Sequence, residues 1–507
     1  MRLFTMNSGQ ARARLVQAGS VLAAVALITG CGSTYRSVVT PISSSGPAAQ
    51  PSSYAVTVSA PSTTTPGIAT VIDYSGDSVL AIAPIGPGPT TFSLDAFGGY
   101  GFTVNSDGTL SNFPVSPSLQ AKQVSYLTLP STAEPVNLFS PTNGVWVADL
   151  NGNFVDVLTG IVSPQVFKLA IPVALTPVTV VGLGSIGQRN YAIGQNIPNP
   201  TGVECNTAPS PTTIPTGLAT PMEVASYSAD TPIPLGQCPV YAVQSPDGKR
   251  FFVLNRGDDT ITVINSFDNT LDACTPFLNQ NGQTVTCHPT LPLSLTAVKA
   301  TGITPPNGTS GMTTIAGPVY AEYNAATTQL VVADYDGGTI SVIDMSLDEY
   351  GNDSPTFGTT YTIPVGNNPA SVTVLADGSR AYTANQTDGT VTIVTLSSHT
   401  VEKTLPVIGN PRTVVSTQNS EYGKVYVASP NSPYLTILRT DLDIVDTTIL
   451  VEGNIVDVRV TTQTGTRGNI NVISRIPGYG QPCNLPPSLE PAPTGTQTLL
   501  QACQALP

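Results

Sequence analysis

The chain has 507 residues, of which only 10% are charged, with 32 acidic against 19 basic side chains, a net charge of −13, and 46 prolines and 45 glycines. Such a balance disfavours nucleic acid and anionic lipid as partners. The scarcity of Glu, Lys, Arg and Met beside abundant Thr, Ser, Val, Gly and Pro argues for strands and turns over helices.

The first 30 residues read as a secretion signal. Arg2, Arg12 and Arg14 lead it, and the apolar run Val21–Ile28 is too short to span a bilayer as a stable anchor. Ile28-Thr29-Gly30-Cys31 then resembles the bacterial lipobox, which implies cleavage before Cys31 and acylation of its thiol and new amine. Each buried methylene contributes roughly 0.8 kcal/mol, so two or three acyl chains anchor durably. Removing residues 1–30 leaves 16 basic and 32 acidic residues, a balance of −16, so the lipid alone is expected to hold the chain to a membrane. Gly32 after the cysteine implies, by the same resemblance, passage to the outer membrane. Residues 31–67 read as a Ser/Thr/Pro-rich tether reaching about 35 Å as a coil.

Six further cysteines suggest disulfides in an oxidising compartment. Although 15 connectivities are open, proximity favours Cys205–Cys238, Cys274–Cys287 and Cys483–Cys503. A metal site competes poorly, because no C-x-x-C is present and only His288 stands near a cysteine.

Beyond the tether one pattern recurs. Val253–Ile264, Val332–Ile343 and Thr383–Val394 each carry Asn or Asp (Asn255, Asp334, Asn385), and five residues later a threonine (Thr260, Thr339, Thr390) that opens an alternating β-branched strand. Val147–Leu158 and Val427–Leu438 fit the frame more loosely. Asp247-Gly248 and Asp377-Gly378, eight residues before the Asn, supply the preceding turn, and Tyr361–Val365 and Val401–Leu405 an outer strand. Four antiparallel strands in about 44 to 51 residues make one propeller blade, which must stack with others to bury both faces. The segments 86–130, 131–173, 174–237, 238–305, 315–366, 367–409 and 410–453 read as blades, 86–130 and 174–237 with the weakest pattern. An eighth is expected where an orphan second half (Val71–Asp73, Asp77–Ala81) meets an orphan first half (Ile455–Val460, Asn469–Ile473). The expected fold is therefore an all-β propeller over 68–480, of seven or eight blades with the count favouring eight, closed by N- and C-terminal halves. A disulfide-stapled tail would occupy 481–507.

The strands Val425–Ser429 and Ala381–Asn385, with the Asp-Gly turns and the Thr-(Ile/Val)-x-(Val/Ile)-(Ile/Val) strands, resemble the YVTN-type β-propeller repeat, clearly over about 238–460. That resemblance implies a frequently exported fold, broadly similar to lactonase-type and quinoprotein-type propellers, and says little of function.

No catalytic residue is assigned. His399 is expected to be solvated in a turn and His288 to lie on the surface; the two are the only histidines. Gly182–Gln188 reads as turns, lacking the β-α context of a phosphate loop. Asp258, Asp259, Asp334 and Asp336 could ligate calcium, but turn-forming Asp accepting backbone N–H is the stronger reading, and no metal or cofactor is assigned. Arg256 reads as half of a turn ion pair, and Trp146 as blade packing. The expected function is an envelope lipoprotein whose propeller binds an unknown protein, peptide or glycan at a channel mouth, with insertions at 189–237 and 271–314 shaping the surface. The alternative is a periplasmic lactonase-like or quinoprotein-like enzyme.

Overall fold

The computed structural model describes residues 53–461, apart from internal stretches at 131–132, 141–143, 161–165, 183–188, 199, 201–203, 207, 209, 211, 280–281, 294–314 and 349–350. Cys31, Cys483, Cys503 and the segment Asn469–Ile473 lie outside the described residues. Strands dominate, and the only helical element among the described residues is a 3-10 turn at Ala121–Gln123.

Eight antiparallel sheets, each with four principal strands, form a ring. Blade 1 is composite. Its inner strand is Asn454–Val460, and its other three are Tyr54–Ala60, Pro66–Asp73 and Ser78–Pro87. The inner strands of blades 2 to 8 are Pro89–Leu94, Pro135–Phe139, Pro177–Gly182, Pro239–Gln244, Pro318–Asn324, Pro369–Val374 and Thr413–Ser416. Each packs beside the next around the ring, and Thr413–Ser416 packs beside Asn454–Val460.

The closure differs in detail from the expected half-and-half join. Three strands come from the N-terminal side and one from the C-terminal side, paired as Thr57↔Val458. Tyr54–Ala60 falls inside the segment read as tether, because its alternation (Ala-Val-Thr-Val-Ser) sits among Ser, Thr and Pro that look like linker. Hydrogen bonds lock the seam: Tyr54 N–H donates to Thr461 Oγ1 at 2.8 Å, and Thr461 N–H returns to Tyr54 O at 2.9 Å.

Period two explains how the ring coheres. Successive side chains on a strand point to opposite faces, so each middle strand feeds two cores. In blade 6, Leu330 and Val332 pack back onto Phe252, Leu254, Ile261 and Val263 of blade 5. Val331 and Ala333 pack forward onto Val372, Val374 and Ala381 of blade 7. Such apolar clusters occur at all eight junctions, including 8/1 and 1/2. Middle strands are accordingly buried on both faces, as in Arg250–Asn255, whereas outer strands such as Ile444–Leu450 are largely exposed.

The recurrent Asn and Thr are partners. Asn385 Nδ2 donates to Thr390 Oγ1 at 3.1 Å and Thr392 Oγ1 at 2.8 Å; Asn255 does the same to Thr260 and Thr262, and Asn105 to Thr109 and Ser111. A glycine lies against each amide. A Cβ built on Gly86, Gly236 or Gly366 would meet Asn105, Asn255 or Asn385 at 2.1 to 2.7 Å. The crossover between blades therefore needs glycine 19 residues before the Asn. One residue after Gly236 and Gly366, and after Gly409 in blade 8, which lacks the buried Asn, the N–H of Gln237, Asn367 and Asn410 is accepted by Asp258, Asp388 and Asn431, each 21 residues on.

Charged side chains tie the blade rims together. Arg380 and Tyr382 of blade 7 both reach Asp443 in the last turn of blade 8, and buried Lys424 of blade 8 reaches Asp77 in the matching turn of blade 1. Arg189 Nη1 of blade 4 instead donates to the Phe267 carbonyl of blade 5 at 3.0 Å.

Asp334 stands where the sister blades carry Asn. It is fully buried, accepts from Thr339 (2.9 Å) and Ser341 (2.7 Å), and its Oδ1 has no partner. Burial pushes its pKa up to about 7. A group that holds its proton longer folded than unfolded contributes most below its unfolded pKa, and that contribution is lost as pH rises through the folded value. Asp334→Asn should therefore leave stability nearly unchanged below pH 4 and raise it progressively between pH 4 and 7. The gain should level off above that, on the order of 2–4 kcal/mol, read from urea unfolding across pH.

Candidate functional site

The eight inner strands turn one hydrogen-bonding edge towards the axis, and an unpaired backbone edge is costly unless something satisfies it. Side chains of the preceding blade do so at several junctions. Asn137 Oδ1 of blade 3 accepts from Val180 N and Thr179 Oγ1 of blade 4, both at 3.1 Å. Glu322 Oε2 of blade 6 accepts from Val374 N of blade 7 at 2.9 Å. Ser371 and Thr373 of blade 7 accept from Val414 N and Ser416 N of blade 8 at 3.0 and 3.2 Å. Thr91 Oγ1 of blade 2 donates to Val136 O of blade 3 at 3.0 Å.

Proline begins six of these strands, and in each a register shift follows it. Proline has no N–H to leave unmet, which suits the first residue of a strand. The shift sets which side chains face the axis.

On the side of blades 1 to 6 the inner strands line a half-open cavity of about 140 Å³. Tyr241 and Tyr320, from blades 5 and 6, form one wall, with ring centroids 4.7 Å apart and planes inclined by 31°. Phe139 and Phe251 add apolar surface; Asn137, Thr91 and Gln244 bring amide and hydroxyl groups. The charged side chain among the lining groups is Arg459, and Asp457 on the same strand holds it at 2.9 and 2.5 Å.

Neither histidine borders this cavity. His399 is half-buried in its turn: its ring stacks on Tyr361 of blade 6 at 3.8 Å, and burial lowers its pKa. His288 is half-buried. Its Nδ1 lies 2.7 Å from buried Asp353, which also pairs with Arg250 at 2.7 Å, while Arg250 pairs with Asp272 at 2.8 Å. Cys274–Cys287 closes the excursion leading to His288, and Cys205–Cys238 ties the preceding excursion to the start of the blade 5 inner strand. Both pairings are the ones favoured by proximity.

The acidic turn residues are spent on the fold. Asp259 accepts from Ala316 N and Gly317 N at 3.2 and 2.7 Å. Arg256 is not a turn partner: it makes a bidentate pair with Asp336 of the next blade, at 2.8 and 2.9 Å. Trp146 is buried and stacks with Tyr227 at 5.9 Å. Gly182 ends the blade 4 inner strand, and residues 183–188 lie outside the described residues.

The cavity residues carry no catalytic motif, but one sequence signal marks them. Pro239-Val-Tyr-Ala242 and Pro318-Val-Tyr-Ala321 are the same tetrapeptide in successive blades, and its tyrosines are the ones that meet at the axis.

Glu322→Ala should leave the Val374 N–H unmet beside the channel and cost about 2–3 kcal/mol, read as a lowered thermal midpoint. Glu322→Gln, which keeps an acceptor oxygen, should recover most of the loss.

No protein-family model and no curated protein matches the chain. Two solved structures of AztD from Citrobacter koseri are similar to it, with TM-scores of 0.52 and 0.53 and identities of 13% and 12%. They cover 82% and 80% of this chain and 99% and 97% of theirs. Dihydro-heme d1 dehydrogenase NirN in complex with DHE is similar with a TM-score of 0.51 and 12% identity, over 82% of this chain and 76% of its own. At such identities the likeness speaks for the fold alone: the chain is an eight-bladed β-propeller.

Proposed function

We propose that the chain is an envelope lipoprotein of the YVTN-repeat type, acylated at Cys31, whose propeller binds a small ligand in the axial cavity and does not transform it. The observation that carries the binding reading is the convergence of six blades on one cavity. Its walls offer aromatic faces, amides and hydroxyls, and its guanidinium is already paired with Asp457. Ligand sites are commonly concave, mostly apolar and supplied with a few placed polar groups. The histidines, the usual general bases near neutral pH, stand at the blade rims in structural contacts.

The anchoring part rests on Ile28–Cys31, the basic leader and the short apolar run. The wild-type chain made in a diderm host should partition with outer-membrane vesicles and carry a diacylglyceryl mass at its N-terminus. Cys31→Ser should abolish that mass and release the propeller to the soluble periplasmic fraction. Wild-type protein that is soluble with a free thiol at Cys31 would sink the anchoring.

The binding part is tested by native mass spectrometry of protein purified from the envelope. A small molecule should co-purify with wild type and be lost from Ser93→Trp, which fills the cavity from blade 2, with thermal unfolding confirming that the variant is folded. Retention of the same molecule by the filled variant would place binding elsewhere.

A further inference from the structure

Each blade is built from four antiparallel strands, so the chain enters and leaves it on one face of the ring. The turns that join first to second and third to fourth strands all lie on the other, the turn face. In blade 1 the first of these turns is replaced by Tyr54 and Thr461, bonded to each other, and Gly98 in the first turn of blade 2 lies against Thr461. Whatever precedes Tyr54 therefore joins the propeller at the turn face.

Six large apolar side chains are exposed in the described connections between successive blade strands. Leu175 and Ile408 lie in crossovers on the entry face and are 39% and 44% exposed; Phe97, Phe267, Tyr422 and Leu442 lie on the turn face at 52 to 62%. Phe97, Phe267 and Tyr422 belong to blades 2, 5 and 8, which stand three, three and two blades apart, and three supports so spaced define a plane across the face. Leu442 joins Tyr422 on blade 8. The local sequence holds the rings out. Asp95 Oδ2 accepts from Phe97 N at 3.2 Å, Asn265 Oδ1 from Phe267 N at 2.9 Å and Asn419 Oδ1 from Tyr422 N at 2.9 Å. Each ring thus rides on a turn fixed by an acceptor two or three residues earlier. Aromatic rings left in water at turn tips suit a membrane interface, where such side chains are enriched. The same face receives the anchor: Cys31 stands 23 residues before Tyr54, and a chain of that length reaches roughly 25 Å as a coil. Exposed Asp268 and Glu421 adjoin two of the three rings, which matches them to a zwitterionic surface and against an anionic one.

We propose that the propeller stands on its turn face on a zwitterionic lipid surface, with Phe97, Phe267 and Tyr422 entering the interface at three points around the ring. The channel mouth on the entry face then points away from the membrane. The inference rests on the lipid-anchored reading above and adds an orientation and a second, non-covalent contact to it.

The full mature chain, made in a diderm host, is reconstituted with phosphatidylcholine vesicles whose acyl chains carry bromine, a short-range quencher of indole emission. Trp146 is buried and supplies a constant background. Phe97→Trp, Phe267→Trp and Tyr422→Trp should each lose at least half of the added emission, and Ile408→Trp on the entry face should lose none. Replacing part of the lipid by phosphatidylglycerol should reduce the quenching at all three positions. Thermal unfolding shows that each variant is folded. Quenching absent from any of the three, quenching as strong at Ile408→Trp, or quenching unchanged or increased by phosphatidylglycerol would each overturn the proposal. The N-terminal acyl mass and the flotation of the same samples with vesicles report the anchoring separately. An acylated, floating chain with unquenched turn-face indoles removes the orientation and leaves the anchor. Quenched indoles in a chain without the acyl mass uphold the face and remove the anchor, and a chain that is neither acylated nor floating removes both.

Discussion

Eight inner strands each leave one row of backbone N–H and C=O groups facing the axis, and satisfying that row is the constraint on which the rest of the architecture turns. A sheet edge left bare invites pairing with another chain; an edge buried bare costs free energy at every group. At several junctions this propeller meets both demands by letting one blade's inner side chains reach the next blade's backbone, as Asn137 does for Val180, Glu322 for Val374 and Ser371 for Val414. The residues that do this are polar by necessity, so the axis is lined by hydroxyls, amides and a carboxylate whatever the protein binds. On the side of blades 1 to 6 the packing relaxes into a cavity, where two tyrosines and a paired arginine join the lining.

Away from the axis the same economy appears as a lock repeated in several blades. The buried Asn holds two hydroxyls of the following strand and leaves room only for glycine in the crossover above it. The turn acid one step further accepts the N–H next to that glycine. Blade 6 departs by using Asp334, and blade 3 by setting Asp149 near Asp156, whose pKa burial and the Asp149 charge raise to about 7. Protonated, each acid can stand in for the neutral amide or hydroxyl of its sister blades.

Much of this was legible in the chain. The Asn-to-Thr spacing of five marked a hydrogen-bonded pair that is present at Asn255 and Asn385, and the unmatched ends favoured eight blades over seven without deciding between them. Tyr54–Ala60 was hidden because seven residues of alternation amid Ser and Thr look like linker, and only pairing with Asn454–Val460 makes a strand of them. Arg256 was assigned to its neighbours because sequence shows nearby acids and not the blade that stacking brings beside them; its partner Asp336 is 80 residues away. The axial residues escaped for a related reason. Composition and motif searches look for reactive groups, whereas Tyr241, Tyr320 and Gln244 become a site only when ring geometry brings their strands together.

The three-plus-one composition of blade 1 bears on how the ring is made. Its outer three strands leave the ribosome first, but the strand that completes them, Asn454–Val460, is made nearly 400 residues later. Blades 2 to 8 are each continuous in sequence and can assemble in order from local hairpins. Until the last strand arrives, the first sheet keeps an uncovered edge at Tyr54–Ala60, a surface open to mispairing with a neighbouring unfolded chain. The protein thus commits to its final circular form only when almost all of it has been synthesised, and a truncation anywhere before residue 454 would yield an arc instead of a ring.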